Sequence, residues 1–370
     1  MMPGKRTPKN IFVTIIMPIR NEAAFIDRSL SAVLNQDYPP DRLEVFVVDG
    51  MSEDETREII KRVISEGRRR KVDHTSEKPG TSNLISGAED GQGLQIILLD
   101  NPSQIVPTAL NIALRHARGQ VIIRVDGHCQ IHPDYVKRCV EALERTGADC
   151  VGGPMVTVGE TWVAKAIGVA QSSFFGVGGV AFRTGRRQGT YVDTLAFGAY
   201  RRQVFDRIGG FDEELVHNQD DEFNFRLIQA GGKIWLDPSI RSVYYSRGSL
   251  RGLWQQYFQY GLYKVRLIQK RGAVPSLRHL VPAGFVLAFA FSIILAIITS
   301  QPLWSLSIIG PYWLANMTAS FWAARKDWAT LPLLPVTFVI LHASYGLGFL
   351  WGFWRWRKKG FSKSNGGWRI

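Results

Sequence analysis

The sequence predicts an α/β fold: a sheet of parallel strands with helices on its faces, then an amphipathic helix and C-terminal membrane-spanning helices. Two observations predict it. Four largely apolar runs, Ile11–Ile16, Glu44–Val48, Gln95–Leu99 and Val121–Val125, alternate with stretches of helical periodicity. From residue 280 to 356, apolar stretches of bilayer-crossing length follow one another.

Taken in order, helices are predicted over Ala24–Asn35, Glu53–Ser65 and Gln104–Arg118. Phe25, Ile26, Leu30, Val33 and Leu34 recur at helical spacing in the first, and Ile105, Leu110, Ala113, Leu114 and Ala117 in the last. Ser52 and Glu55 are placed to form a capping box ahead of the second. Gly67–Gly93 is polar and reads as a surface insertion, its Arg68–Lys71 run a solvated face. The alternation stops near residue 150, and the glycine-rich 151–247 predicts loops and shorter strands.

Over Ser249–Lys270 one helical face carries Leu253, Trp254, Tyr257, Phe258, Leu262, Val265 and Ile268. The other carries Gln256, Gln259, Tyr260, Tyr263 and Lys264, a pattern suited to a membrane interface. Leu280–Thr299, Pro302–Ala324 and Leu331–Trp354 are the spanning candidates. Three crossings would put the basic tail outside, against the positive-inside rule. The third segment, with its glycines and His342, is the better re-entrant candidate. The predicted boundaries are a first domain over 1–248, the interface helix over 249–272, a membrane region over 279–356 with two or three segments, and a basic tail over 357–370.

Composition narrows the class. The net charge is +13, but the basic residues form no nucleic-acid signature and several flank the apolar segments, which favours a membrane surface. Cys129, Cys139 and Cys150 suit a reducing compartment, and zinc spacings are absent. No signal-peptide core follows the N-terminus, so the first domain is expected in the cytoplasm. There is no Gly-x-Gly-x-x-Gly after the first strand and no Walker motif, which disfavours hydride transfer with NAD and P-loop chemistry.

The chemistry concentrates in three acidic places. Val121–Val125 runs into Asp126-Gly127-His128, two potential metal ligands at a strand end, where α/β sheets bind ligands. Such a pair suits Mg²⁺ or Mn²⁺ with phosphate oxygens completing the shell. The other reading is a turn with Asp126 capping a backbone amide. Asp49 ends the second strand and can accept hydrogen bonds from a base or ribose, or serve the helix cap. Asp220, Asp221 and Glu222 repel one another, so at least one has a raised pKa or a cationic partner. A carboxylate there can act as a general base, or merely open a helix in accord with its dipole.

These residues jointly resemble family 2 glycosyltransferases over residues 11–270. Ile15–Glu22 resembles that family's first-strand signature, and Val47-Val48-Asp49-Gly50 with Asp54 its nucleotide turn. Leu110–Leu114 with Ala117-Arg118-Gly119 precedes Asp126-Gly127-His128 as the family's helix precedes its metal motif. Phe197–Arg202 and Gly209–Glu213 are similar to its acceptor segment, and Gln219-Asp220 sits where the family has Glu-Asp. Within the family the chain looks most like bacterial exopolysaccharide glucosyltransferases of the succinoglycan type.

The resemblance implies a GT-A fold, a Rossmann-like mixed sheet flanked by helices. It implies inverting transfer of one sugar from a nucleotide-sugar, here a UDP-sugar, to a polyprenyl-diphosphate-linked saccharide at the inner membrane. Pro18, Arg20, Asn21, Glu22, Asp49 and Asp126 would bind the nucleotide-sugar, and Asp126 and His128 the metal. Asp220 would be the base, with Asp221 its rival. Gly198, Tyr200, Gln256, Gln259 and Tyr260 would contact acceptor or diphosphate. Processive synthases carry Gln-x-x-Arg-Trp on the interface helix; here Gln256–Tyr260 lacks the Arg and Trp, which favours single addition. The alternatives are a processive synthase and a catalytically silent nucleotide-binding membrane protein.

Overall fold

The computed structural model describes residues 11–72 and 94–359. The chain divides into two compact units. The first takes residues 11–155 and Gly185–Tyr244 of the described chain, the second Val156–Thr184 and residues 245–359. The second unit therefore takes in Val156–Thr184, a stretch that the sequence boundaries put in the first domain.

In chain order the elements begin with β1 (Val13–Ile19), α1 (Ile26–Leu34), β2 (Leu43–Asp49), α2 (Thr56–Val72), β3 (Gln95–Asp100) and α3 (Val106–His116). Next come β4 (Val121–Arg124), β5 (Cys129–Ile131), α4 (Tyr135–Thr146), β6 (Cys150–Gly152) and β7 (Met155–Val158). Helices α5 (Trp162–Gln171), α6 (Phe174–Val177) and α7 (Ala181–Thr184) precede β8 (Thr190–Tyr191) and β9 (Ala199–Arg201). Then follow α8 (Arg202–Ile208), α9 (Gln219–Gln229), β10 (Ile234–Leu236) and β11 (Ser242–Tyr245). The chain continues as α10 (Leu250–Arg271), α11 (Val281–Thr299), α12 (Leu303–Ala324) and α13 (Leu334–Trp356).

The first unit is an eight-stranded mixed sheet in the order β3-β2-β1-β4-β9-β6-β10-β8. β3, β2, β1 and β4 run parallel, and β9 is antiparallel to both β4 and β6. β1 and β2 are buried along their whole length, which is why they read as unbroken apolar runs. β1 contains Pro18, yet its last rung with β4 is Ile16 to Arg124. Pro18 lies beyond it, where no ladder bond to β4 is asked of its nitrogen. There β4 leaves the sheet and enters Asp126-Gly127-His128. Strand order reverses direction between β1 and β4, so this opening is the sheet's switch point, where such folds bind ligands.

The second half of the sequence holds more helix than its glycines predicted. Residues 151–247 contain α5 to α9 besides short strands. In α5, Ala164, Ala166, Ile167, Gly168 and Ala170 are buried, a helix set within a glycine-rich stretch that reads as loop. Helix α2 runs on to Val72, so the start of the predicted insertion is helical; residues 73–93 lie outside the described residues.

In the second unit α10 forms as predicted, capped by Ser249 Oγ accepting from Gly252 N at 3.1 Å. Of its predicted polar side Lys264 is buried, and Gln256, Gln259, Tyr260 and Tyr263 are half-buried. Glycines explain the packing. A Cβ on Gly261 would overlap the Tyr345 carbonyl, and one on Gly348 the Phe258 carbonyl, so α10 and α13 pack backbone to backbone. α13 is one continuous 23-residue helix, and its glycines serve helix contact instead of a re-entrant loop. Among the described residues, Leu277–Thr299 and Leu334–Trp356 are the two helices long and apolar enough to cross a membrane; α12, with Pro311 inside it, does not reach that standard.

Candidate active site

Three strand ends and one helix start assemble the site in the first unit. β2 ends in Asp49, whose side chain is fully buried. Its carboxylate accepts from Ser52 N at 3.2 Å and from Arg57 Nη1 at 2.8 Å, and Ser52 Oγ donates to it as well. Arg57 reaches on to Asp100 Oδ1 at the end of β3, 2.7 Å away. The expected Ser52–Glu55 cap does not form, because Ser52 Oγ is spent on Asp49 and accepts from Asn21 N at 2.9 Å. Asp54 caps instead, accepting from Thr56 N at 3.1 Å.

The turn after β1 is stitched to the turn after β2. Asn21 Oδ1 accepts from Glu53 N at 2.9 Å, and Glu22 N donates to Thr56 Oγ1 at 2.8 Å. Arg20 stands at the rim, 3.8 Å from Glu53. Asn21 (φ 51°), Met51 (φ 56°), Phe197 (φ 53°) and Asn218 (φ 62°) adopt the left-handed conformation. They flank the strand ends and the start of α9. Phe197 is a bulky side chain in a region that favours glycine, a local cost of the kind that gathers at functional sites.

After β4, Arg124 grips Asp126 with a two-pronged fork, Nε to Oδ1 at 2.7 Å and Nη2 to Oδ2 at 2.9 Å. His128 Nδ1 meets Glu22 Oε1 at 2.7 Å, and its ring lies edge-on to Tyr244. Gly127 makes this possible, because a Cβ there would sit 2.8 Å from Glu22 Cγ. Burial alone would lower the His128 pKa, but Tyr244, the Glu22 hydrogen bond and Asp126 outweigh it and push it up to about 9. Cys129 is fully buried, and burial pushes its thiol well above the ordinary range, a packing residue as expected.

Helix α9 brings the third acidic group. Its three acids are not equivalent. Glu222 is fully buried and paired with Arg226 one turn on, Nε to Oε1 at 2.6 Å. Asp221 Oδ1 accepts from Thr194 Oγ1 at 2.9 Å. Asp220 accepts from the backbone N of Asp221 at 2.9 Å, and among the described residues no side chain donates to it. Burial first, then the Asp221 charge, raise the Asp220 pKa, and Arg124 offsets part of the rise.

Two expected acceptor contacts within the first unit serve packing. Tyr200 is in the core: its phenol donates to Asn224 Oδ1 at 2.8 Å and its ring packs edge-on against Phe223. A Cβ on Gly198 would lie 2.8 Å from Cys150 Sγ, so that glycine answers to packing. Gln256, Gln259 and Tyr260 lie on α10 of the second unit, where Gln256 Nε2 donates to Tyr260 OH at 3.0 Å. Arg57, Asp100, Arg124, Thr194 and Tyr244 were not anticipated. Arg124 had a signal: it sits two residues before Asp126, hence on the same side of an extended strand. Asp100 had one too, an acid ending an apolar run as Asp49 does.

Among the described residues no group of three or more His, Cys, Asp or Glu converges on one point. Asp126 and His128 offer one carboxylate and one ring nitrogen, Nε2, with Nδ1 fixed by a carboxylate as is usual behind a metal-binding histidine. That donor set fits a divalent ion completed by phosphate oxygens once the ion displaces the His128 proton and shares the Asp126 carboxylate with Arg124.

The family model described as glycosyl transferase family 2 matches residues 14–107 and 72–209. The chain is 32% identical to the succinoglycan biosynthesis protein ExoA of Rhizobium meliloti, over 90% of this chain and 93% of that protein. It is 26% identical to a dolichyl N-acetyl-alpha-D-glucosaminyl phosphate 3-beta-D-2,3-diacetamido-2,3-dideoxy-beta-D-glucuronosyltransferase of Methanococcus voltae, over 92% and 97% of the two chains. Among solved structures, a mannosyltransferase from Pyrobaculum calidifontis in complex with GDP-Man and Mn²⁺ superposes with a TM-score of 0.56 at 18% identity, covering 94% of this chain and 89% of that one. That likeness shows the fold, which is GT-A-like.

Proposed function

The chain belongs to glycosyl transferase family 2, and on that premise we propose a metal-dependent, inverting transferase that adds one sugar from a UDP-sugar to a polyprenyl-diphosphate-linked saccharide at the cytoplasmic membrane face. The observation that carries the reading is the contrast within α9. Asp220 is ionisable, raised in pKa and held by no side chain, whereas Asp221 and Glu222 are tied to Thr194 and Arg226.

In this reading Asp220 takes the proton of the acceptor hydroxyl as that oxygen bonds to the anomeric carbon. The bond from that carbon to the diphosphate breaks on the opposite face, its electron pair leaving with the nucleotide. One displacement inverts the centre and needs no covalent nucleophile. Asp49, pre-set by Ser52 and Arg57, receives the base or ribose, with the Pro18–Glu22 turn beside it. Asp126 and His128 would hold Mg²⁺ or Mn²⁺, which offsets the charge growing on the departing diphosphate.

Lipid and pathway rest on the relatives. One takes part in succinoglycan biosynthesis, and another is named for a dolichyl-phosphate-linked sugar. Two crossings, by Leu277–Thr299 and Leu334–Trp356, support a multi-pass protein of the inner membrane with its basic tail returned to the cytoplasm. The test is purified protein with a panel of nucleotide sugars and lipid-linked saccharides, with and without Mn²⁺, read by mass spectrometry. One sugar increment is expected. A ladder of products turns the reading to a processive synthase, and no product from any donor to a silent protein.

A further inference from the structure

One buried donor at the site has nothing to bind. Arg124 closes β4 and is 8% exposed. Nε and Nη2 are committed to Asp126, but Nη1 is buried without a hydrogen-bond partner among the described residues. Native folds rarely leave such a group unmet, and a ligand is one of the standard reasons they do. The fork on Asp126 fixes the guanidinium plane, so the remaining edge points in one direction only.

The charges around it narrow the ligand. Its guanidinium is ion-paired with Asp126 at 2.7 Å, and the Asp220 carboxylate also acts on it. Asp220 in turn feels both Arg124 and Asp126. Arg124 is therefore in electrostatic reach of the donor-side carboxylate and of the acceptor-side one. Its charge is already answered by carboxylates, so the remaining N–H suits a neutral oxygen better than another anion. In the transfer reading, the group lying between departing diphosphate and attacking hydroxyl is the sugar itself, and its hydroxyls are such oxygens.

We propose that Arg124 determines donor specificity, its Nη1 donating to a ring hydroxyl of the sugar being transferred. This rests on the transfer reading above. The test is calorimetric titration at saturating Mn²⁺, where UDP alone reports any change in metal holding by Asp126 and the difference between UDP and UDP-sugar reports the sugar contact. UDP and the UDP-sugar accepted in the product assay are titrated into wild type, R124Q and R124K, each checked for folding by thermal melting.

Both variants should bind UDP within about threefold of wild type yet lose roughly tenfold or more for the UDP-sugar, the value of one good hydrogen bond. A deoxy donor lacking the hydroxyl that Arg124 reads should bind wild type as weakly as R124Q binds the intact donor. Equal loss for UDP and UDP-sugar, or no loss for either, overturns the inference and leaves Arg124 a brace for Asp126. If R124Q does not fold, R124K carries the test, since it keeps the buried charge and lacks the fork. A wild type that binds no nucleotide-sugar overturns the transfer reading as well; uniform loss in a binding-competent protein overturns this inference alone.

Discussion

Asp49 and Asp220 are both carboxylates set against the same sheet, and they are treated in opposite ways. Asp49 is fully buried and takes hydrogen bonds from Ser52 and Arg57, with Arg57 itself steadied by Asp100. Asp220 receives one backbone N–H and stands beside another acid. A carboxylate supplied with donors is a fixed acceptor that a ligand can be measured against. A carboxylate kept short of donors and next to a like charge holds a proton more readily, which is what proton transfer requires. In the proposed reading this difference separates a binding acid from a reacting one.

The largest expected effect breaks the comparison outright. D220N should lower kcat by about 10²–10⁴-fold, the usual worth of a general base, with donor affinity retained. D49N should do the reverse, weakening donor binding with a smaller change in kcat. Steady-state kinetics with calorimetry on both variants decides it; a D220N protein with full activity removes Asp220 as the base.

A smaller effect is expected at the metal pair. H128A should reduce Mn²⁺ affinity and Mn²⁺-dependent transfer, H128D should recover part of both, and E22Q should cost about 10–100-fold in metal affinity through the lost hold on Nδ1. Manganese binding followed by electron paramagnetic resonance checks all three. Intact metal dependence in H128A would reduce the motif to a turn at that position.

The smallest effect sharpens the contrast. Because the Asp220 pKa is raised, its working, ionised form is lost as pH falls through that raised value, and the acid limb of kcat against pH belongs to the Asp220–Asp221 pair. D221N removes the like charge, so the limb should move to lower pH. An unmoved limb would show that burial alone sets it.

Much of this was legible in the chain. The four apolar runs became β1 to β4; β1, β2 and β4 are buried on both faces and leave an unmistakable apolar record. Asp49, Asp126, His128 and Asp220 were legible because each follows such a run or opens a helix. The helices α5 to α7 were not, since α5 lies in a glycine-rich stretch that reads as loop and α6 and α7 span four residues each. The re-entrant reading of the third apolar segment failed for the same reason: its glycines answer to α10, a partner distant in sequence.

The sequence by itself determined the first four strands, the family, and which acids stand at strand ends, since period and punctuation are local properties. Only the tertiary structure decided how each acid is held. Thr194 holds Asp221 from 27 positions away, Glu22 holds His128 across 106, and Arg57 joins Asp49 to Asp100 across two strands. A carboxylate's chemistry is set by the donors and charges around it, and those are brought together by the fold, not by spacing along the chain.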